Sequence, residues 1–398
     1  MGNMVVSLRD AGGGPHRRDE SGKRQTGYID GCFDIMHSGH YNAIRQARSL
    51  CDRLVVGIHS DAEIARNKGP PVMVQSERYG LLEHIKWIDE IAHDVPYSPT
   101  LATLDACGAD FSVHGDDMPV NAQGVGAYDS LRDAGRLKIV KRTEGVSTTD
   151  FIGRLLSLSK AHHEPSSPIL ETTRASAAAS KNQAGLSSQG VKLLASTRRI
   201  SEFSKPHRLP AADDVVVYCD GSFDMFHLGH ATTLKKAKAL GTFLVVGIHD
   251  DDAVNRVKGA NYPIATLQER VLCVCACKHV DEVIIGAPLE VTHDMLKTLN
   301  VSYVVQGSHT ETHHFREAGY AMDVVGARNT DEDLYRVPKA LGMMRTVDSD
   351  FPELNTAVIA QRVAENRLAY MNRNADREKR EAAYYEEKAT KKESIAEA

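Results

Sequence analysis

The 398-residue chain is predicted to be an α/β protein made of two tandem domains, each a doubly wound parallel sheet, and three observations carry that prediction. Short β-branched runs alternate with amphipathic stretches, a pattern in which strands and helices take turns and helices cover both faces of a parallel sheet. A ten-residue motif occurs twice, as GCFDIMHSGH from Gly31 to His40 and as GSFDMFHLGH from Gly221 to His230. The surroundings repeat as well: VVGIH begins at Val55 and again at Val245, and Lys68 has a counterpart at Lys258, each 190 residues further on. A constant offset over so many features marks a duplicated domain.

The elements follow in order. Residues 1–24 are rich in Gly, Arg and Asp without periodicity and read as a disordered N-terminal arm. The first domain, 25–160, shows strands at Gly27 to Asp30, Leu54 to His59, Phe111 to His114 and Leu137 to Lys141. Its helices are expected at Tyr41 to Leu50, Glu77 to Ile88 and Asp150 to Leu158. Residues 161–212 form a linker whose centre, RASAAASKNQAGLSSQG, cannot bury enough apolar surface to order itself. Its end places Leu193, Ile200 and Phe203 at helical spacing, so a short helix over 191–204 should dock on a domain. The second domain, 213–372, repeats the strands at Val215 to Cys219, Leu244 to His249, Val280 to Ile285 and Tyr303 to Gln306, and closes with a helix near Thr356 to Met371. The charged tail, 373–398, balances seven basic against seven acidic residues and lacks a wide apolar face for lipid.

Composition narrows the function without naming it. A net charge of -5 gives no bulk attraction to nucleic acid or to an anionic membrane, so anions must be bound by local sites. Seven scattered cysteines without metal-ligand spacing suit a reducing compartment, and Cys273 and Cys277, one helical turn apart in an apolar run, read as core. No apolar stretch reaches the ~20 residues of a membrane-spanning helix. The start has no apolar segment long enough for a secretory signal, and Gly2 lacks the hydroxyl residue that myristoylation wants at the position of Val6. The expected address is the cytosol, at most the periphery of the endoplasmic reticulum.

Chemistry concentrates in four segments of the first domain. In GCFDIMHSGH a strand enters a glycine turn and a helix opens, so backbone N–H groups and the helix dipole converge on one spot suited to phosphate. His37 and His40 can both aim ring N–H groups there, and Gly39 lets a ligand approach the backbone. Downstream come Lys68, then HGDD from His114 to Asp117 after a strand, then RTEGVSTT from Arg142 to Thr149 before a helix. Each alone has a plain structural explanation: a solvated lysine, a capped strand end, a serine N-cap. In this order and on these elements they make a phosphate-handling set.

Together these segments resemble the cytidylyltransferase domains of the HxGH nucleotidyltransferase superfamily, whose fold is Rossmann-like, and RTEGVSTT is similar to that family's RTxGISTT signature. A tandem pair from about Tyr28 to Arg373 with a degraded second signature resembles the family members that act on phosphoethanolamine. The choline-phosphate members have one such domain followed by a basic amphipathic helix, which this chain does not show. The resemblance implies transfer of the cytidylyl group of CTP to phosphoethanolamine, giving CDP-ethanolamine and pyrophosphate for phospholipid synthesis, with Mg²⁺ accompanying CTP. It implies His37 and His40 on the α- and β-phosphate oxygens, Lys68 on the phosphates of both substrates, and Arg142, Ser147 and Thr148 at the triphosphate end. It places Cys32, Phe33, Asp34, Gly39, His114, Gly115, Asp116, Asp117, Thr143, Gly145 and Val146 around the nucleotide, Asp34 as organiser of the site and Asp117 as a pocket contact. No protein ligand for a metal is implied, and the oligomeric state, a homo-oligomer included, is not set.

The second domain keeps Phe223, Asp224, His227, His230 and Lys258, a candidate anion site. HGDD has become Gln306, Gly307, Ser308 and His309, and RTEGVSTT has become RTVDSDFPELNTA from Arg345, with Asp348 and Asp350 expected to repel a triphosphate. The first domain is therefore expected to turn over and the second to be structural or regulatory. Other readings are a cytidylyltransferase for phosphocholine or glycerol 3-phosphate, or a non-catalytic CTP sensor. A class I aminoacyl-tRNA synthetase would need a KMSKS-like loop that is not found, and nucleic acid is not an expected partner. Trp87 reads as core, and Tyr97 is an uncommitted headgroup candidate.

Overall fold

A computed structural model describes residues 24–143, 146–156, 194–204, 208–308 and 333–370, the single positions 162 and 372, and the backbone of 5–7. The chain divides into two compact units: residues 1–144 with 361–398, and residues 145–360.

Unit 1 holds strands β1 (Val5–Ser7), β2 (Thr26–Gly31), β3 (Arg53–Ile58), β4 (Glu90–His93), β5 (Phe111–Gly115) and β6 (Leu137–Val140). They line up as β1-β4-β3-β2-β5-β6, parallel throughout except that β1 runs antiparallel to β4. Between them come α1 (Ser38–Arg48), α2 (Asp61–Asn67), α3 (Gln75–Leu82), α4 (Leu101–Ala106) and α5 (Asp129–Asp133). The central strands are apolar on both faces, as a covered parallel sheet requires, and Leu54, Val55, Val56 and Ile58 of β3 are all fully buried. Chain order reverses between β2 and β5, so the carboxyl ends of those strands form the switch point where doubly wound sheets bind ligands.

Unit 2 repeats this plan. It contains α6 (Thr148–Leu156), α7 (Leu194–Phe203), β7 (Val216–Gly221), α8 (Leu228–Lys238), β8 (Phe243–Ile248), α9 (Asp251–Lys258), α10 (Leu267–Ala276), β9 (Glu282–Ile285), α11 (His293–Thr298), β10 (Val301–Gly307), α12 (Arg336–Ala340) and β11 (Met344–Val347). Its five strands are all parallel in the order β11-β10-β7-β8-β9, the same winding as β6-β5-β2-β3-β4. A last helix, α13 (Thr356–Glu365), carries the chain back to the residues of unit 1.

The fold class is the one the alternating pattern predicts, with differences at the margins. Val5 to Ser7 of the supposed arm form an edge strand: two β-branched residues give β4 an antiparallel partner at Glu90 to Ala92. The helix expected over Glu77 to Ile88 stops at Leu82, because the chain must turn back to start β4. The linker helix forms at Leu194–Phe203 and docks on α10 with Phe203 fully buried; Leu193 lies outside the described residues. Cys273, Cys275 and Cys277 are buried in unit 2, and Trp87 is buried in unit 1. The tail from 373 lies outside the described residues.

Candidate active site

The phosphate turn is held by its own backbone and by one carboxylate. Phe33 and Ile35 have positive φ, 47° and 41°, and Phe223 and Met225 repeat this at 50° and 47°. Side chains pay for that conformation, β-branched ones most, and such strain persists only where the surroundings enforce it. The enforcing group is Asp34, buried between the two strained residues, whose carboxylate accepts the amides of Val72 and Met73 at 2.8–3.1 Å. Asp224 accepts Ile264 and Ala265, both at 2.8 Å. Asp34 thus ties the turn to the loop after Lys68. Arg78, also buried, adds donations to the carbonyls of Cys32 at 2.7 Å and His59 at 2.9 Å.

The two histidines open α1 as a capping box built from imidazoles. His37 is the N-cap and its Nδ1 accepts the Gly39 amide at 3.2 Å, while Nδ1 of His40 accepts the His37 amide at 3.4 Å. A ring nitrogen that accepts carries no proton, so each neutral ring keeps its hydrogen on Nε2, the tautomer that can donate to a phosphate oxygen. The rings lie 4.0 Å apart. Burial, then the nearby charges of Lys68 and Arg142, push the His40 pKa down to about 3, so the ring is neutral at pH 7.

Charge shows which groups share the site. Lys68 acts on His40, His59, His114 and Asp30 alike, and Arg142 acts on His40 and His114. His37, His40, Lys68, His114 and Arg142 are therefore brought to one end of the unit 1 sheet, at the carboxyl ends of β2, β3, β5 and β6. The acids of HGDD hold the next loop: Asp116 accepts the Arg142 amide at 3.0 Å, and Asp117 pairs with its guanidinium at 2.7 Å. That ion pair is half exposed, so it is weak and can be exchanged for a phosphate. Thr143 is buried and accepts from Asn42 of α1 at 2.9 Å.

His114 differs from the HxGH pair. Its Nδ1 meets the Gly115 carbonyl at 3.0 Å, so the ring donates there and a neutral Nε2 is an acceptor, suited to a hydroxyl or amino group and not to a phosphate oxygen. Ser147 and Thr148 open α6 in unit 2, with Val146 buried before them and Ser147 capping Asp150 at 3.1 Å. Gly145 lies outside the described residues.

A second constellation beside Lys68 escaped the sequence reading. The Asp30 carboxylate is buried at the end of β2, accepts the Tyr128 hydroxyl at 2.6 Å, and sits beside the Tyr28 hydroxyl. His59 lends Nδ1–H to the Val95 carbonyl at 3.1 Å, leaving Nε2 as an acceptor 4.0 Å from Oδ2 of Asp30. Burial raises the Asp30 pKa to about 7 against the pull of Tyr128, its own backbone, Tyr28 and Lys68. The Tyr97 ring lies 5.5 Å from that of His59, tilted by 43°, and 5.5 Å from the Lys68 ammonium. Two acceptors 4.0 Å apart, walled by tyrosines, are what a primary ammonium with three N–H donors can bridge.

Unit 2 keeps part of this machinery. Tyr335 donates to Asp220 at 2.6 Å, His249 meets the Ala287 carbonyl at 3.0 Å, and the rings of His227 and His230 lie 3.8 Å apart. Lys258 is bonded to Ser222 at 3.0 Å. Arg345, however, bonds the Gly342 and Met344 carbonyls and lies over the Tyr303 ring, unlike Arg142. Asp350 pairs with Lys236 at 2.5 Å on a half-exposed surface. Among the described residues of unit 2, no arginine takes the place that Arg142 has beside Asp116 and Asp117.

Comparison with known proteins agrees with the duplication. A family model described as cytidylyltransferase-like matches residues 28–154 and again 218–356. The chain is 43% identical over 363 residues to a Dictyostelium discoideum protein named ethanolamine-phosphate cytidylyltransferase, covering 90% of this chain and 96% of that one. An Arabidopsis thaliana protein of the same name is 42% identical over 375 residues, 91% of this chain and 85% of its own. The choline-phosphate cytidylyltransferase 2 of Arabidopsis thaliana is 40% identical over 134 residues, only 32% of this chain and 44% of its own.

Proposed function

The chain belongs to the ethanolamine-phosphate cytidylyltransferases, and we propose that it makes CDP-ethanolamine and pyrophosphate from CTP and phosphoethanolamine in unit 1 alone. The observation that carries this reading is the shared neighbourhood of His40, His114, Lys68 and Arg142 next to the buried Asp30 and His59 acceptors. Among the described residues, unit 2 keeps the counterparts of His40 and Lys68 but directs Arg345 elsewhere than Arg142.

The phosphate of phosphoethanolamine has a second pKa near ~6 and is mostly dianionic at pH 7, so it attacks without a general base. One of its oxygens forms a bond to the α-phosphorus of CTP as the bond to the β-phosphate oxygen breaks in line, and pyrophosphate leaves. The obstacle is repulsion between anions, and the chain answers it with fixed donors. Neutral His37 and His40 donate Nε2–H to the α- and β-phosphate oxygens, Lys68 stands between the two substrates, and Arg142 exchanges Asp117 for the triphosphate. Asp30 and His59 accept from the ammonium of the headgroup, which orients its phosphate. A quaternary ammonium has no N–H to give them.

Among the described residues no three His, Cys, Asp or Glu gather as a metal cage. The donor set suits an ion held by phosphate oxygens and water, so Mg²⁺ would come with CTP and neutralise its triphosphate. No helix among the described residues is long and apolar enough to cross a membrane. The test is a competition of phosphoethanolamine, phosphocholine and glycerol 3-phosphate for labelled CTP. Phosphoethanolamine should dominate the product, and equal use of phosphocholine would overturn the headgroup assignment.

A further inference from the structure

The unit that carries the site is completed by chain from the end of the second domain. Residues from Gln361 onward belong to unit 1. Arg362 lays its guanidinium on Glu77 as a fork, Nη1 to Oε2 at 2.7 Å and Nη2 to Oε1 at 2.9 Å. Glu77 is buried, and its Oε2 also accepts the Val74 amide at 3.1 Å to open α3. Further along, Tyr370 is buried and donates its hydroxyl to the Pro71 carbonyl at 3.4 Å. The segment Pro71 to Val74 is therefore gripped from both sides. Asp34 of the phosphate turn takes the amides of Val72 and Met73, and the returning chain holds Pro71 and Glu77.

That segment starts three residues after Lys68. Gly69, at φ 96°, reverses the chain, and two prolines of fixed φ follow, so a shift at Val72 to Val74 passes through a stiff dipeptide to the lysine. A forked pair on a buried carboxylate is strong and directional, and removing its cation leaves a buried charge uncompensated. Unit 2 has the same device: Arg154 forks onto Glu269 at 2.7 and 3.1 Å, and Glu269 accepts the Thr266 amide at 2.8 Å.

We propose that Arg362 is a positioning residue for Lys68: by clamping Glu77 it fixes the loop that sets where the lysine ammonium meets the phosphates. The inference rests on the assignment of Lys68 to the phosphates. It makes the chemistry of the first domain depend on the helix that closes the second.

The experiment compares full-length Arg362→Ala, Arg362→Lys, Lys68→Ala and the Lys68→Ala/Arg362→Ala pair by CTP-dependent pyrophosphate release. A displacement of about 1 Å at a reacting group costs about 10²-fold, and that loss in kcat/KM is expected for both substrates in Arg362→Ala. Lysine keeps the charge without the fork and should restore about tenfold of it. Once Lys68 is gone there is no ammonium to misplace, so adding Arg362→Ala should then cost less than about threefold. Calorimetric melting establishes that each variant is folded at the assay temperature, and if Arg362→Ala is not, Arg362→Lys carries the same comparison. Parental activity in Arg362→Ala, or an undiminished loss on top of Lys68→Ala, overturns the inference. Parental activity in Lys68→Ala alone removes the lysine assignment itself, and the single variant reads that separately.

Discussion

Replacing Asp30 by Asn should make the protein at once more stable and less able to use phosphoethanolamine. Burial lifts the carboxyl from 3.8 to about 7, and such a rise corresponds to on the order of 4 kcal/mol carried by the ionised form in the folded state. At pH 8 the native carboxylate is mostly ionised and bears nearly all of that cost. Asparagine keeps an oxygen for the Tyr128 hydroxyl and places an amide beside the Nε2 acceptor of His59. The unfolding midpoint at pH 8 should rise by a few degrees. Towards pH 5 the native carboxyl of the parent is protonated and the difference should fade. Catalysis should move the other way, because a charge-assisted hydrogen bond is worth about 1.5–3 kcal/mol, or about 10–100-fold in kcat/KM for phosphoethanolamine. The assay is initial-rate pyrophosphate release at saturating CTP with phosphoethanolamine varied, beside calorimetry at pH 5 and pH 8. A variant with parental kcat/KM, or one whose KM for CTP suffers equally, would refute a headgroup role for Asp30.

His40→Ala removes a preorganised donor and should lower kcat by about 10²–10³-fold, whereas His230→Ala should leave turnover near the parental rate. Comparable losses in two folded variants would contradict a single working site. Burial holds His40 at about 3 and His59 at about 4, so both stay neutral in the native state while the unfolded chain takes up protons below ~6.5. Their contribution to stability is therefore present above pH 6.5 and lost as pH falls towards 4, opposed by Asp30, whose ionisation costs stability as pH rises from 3.8 to 7. His59→Asn should flatten the fall in melting temperature between pH 6.5 and 5, and an unchanged slope would count against a buried neutral ring.

The phosphate turn was legible because its chemistry lies within ten residues and occurs twice. Periodicity found the long central strands for the same local reason, and missed Glu90 to His93 because a four-residue strand with a polar residue at each end looks like a turn. Asp30 was not legible in this way: read along β2 it is a strand residue, and its partner Tyr128 stands 98 positions away. A signal existed in the duplication, since Asp220 and His249 repeat Asp30 and His59 at the 190-residue offset. Arg362 was hidden more deeply. Its partner Glu77 is 285 positions distant, so only the folded chain pairs them.

The imidazole capping box constrains what can replace it. Aspartate would begin the helix well, but an ionised carboxylate has no hydrogen to give an anion. Lysine or arginine would greet an anion, but has no lone pair to spare for the amides of His37 and Gly39. The rigid five-membered ring offers a lone pair on one edge and a proton on the other, so replacing either histidine changes the helix cap and the phosphate donor together.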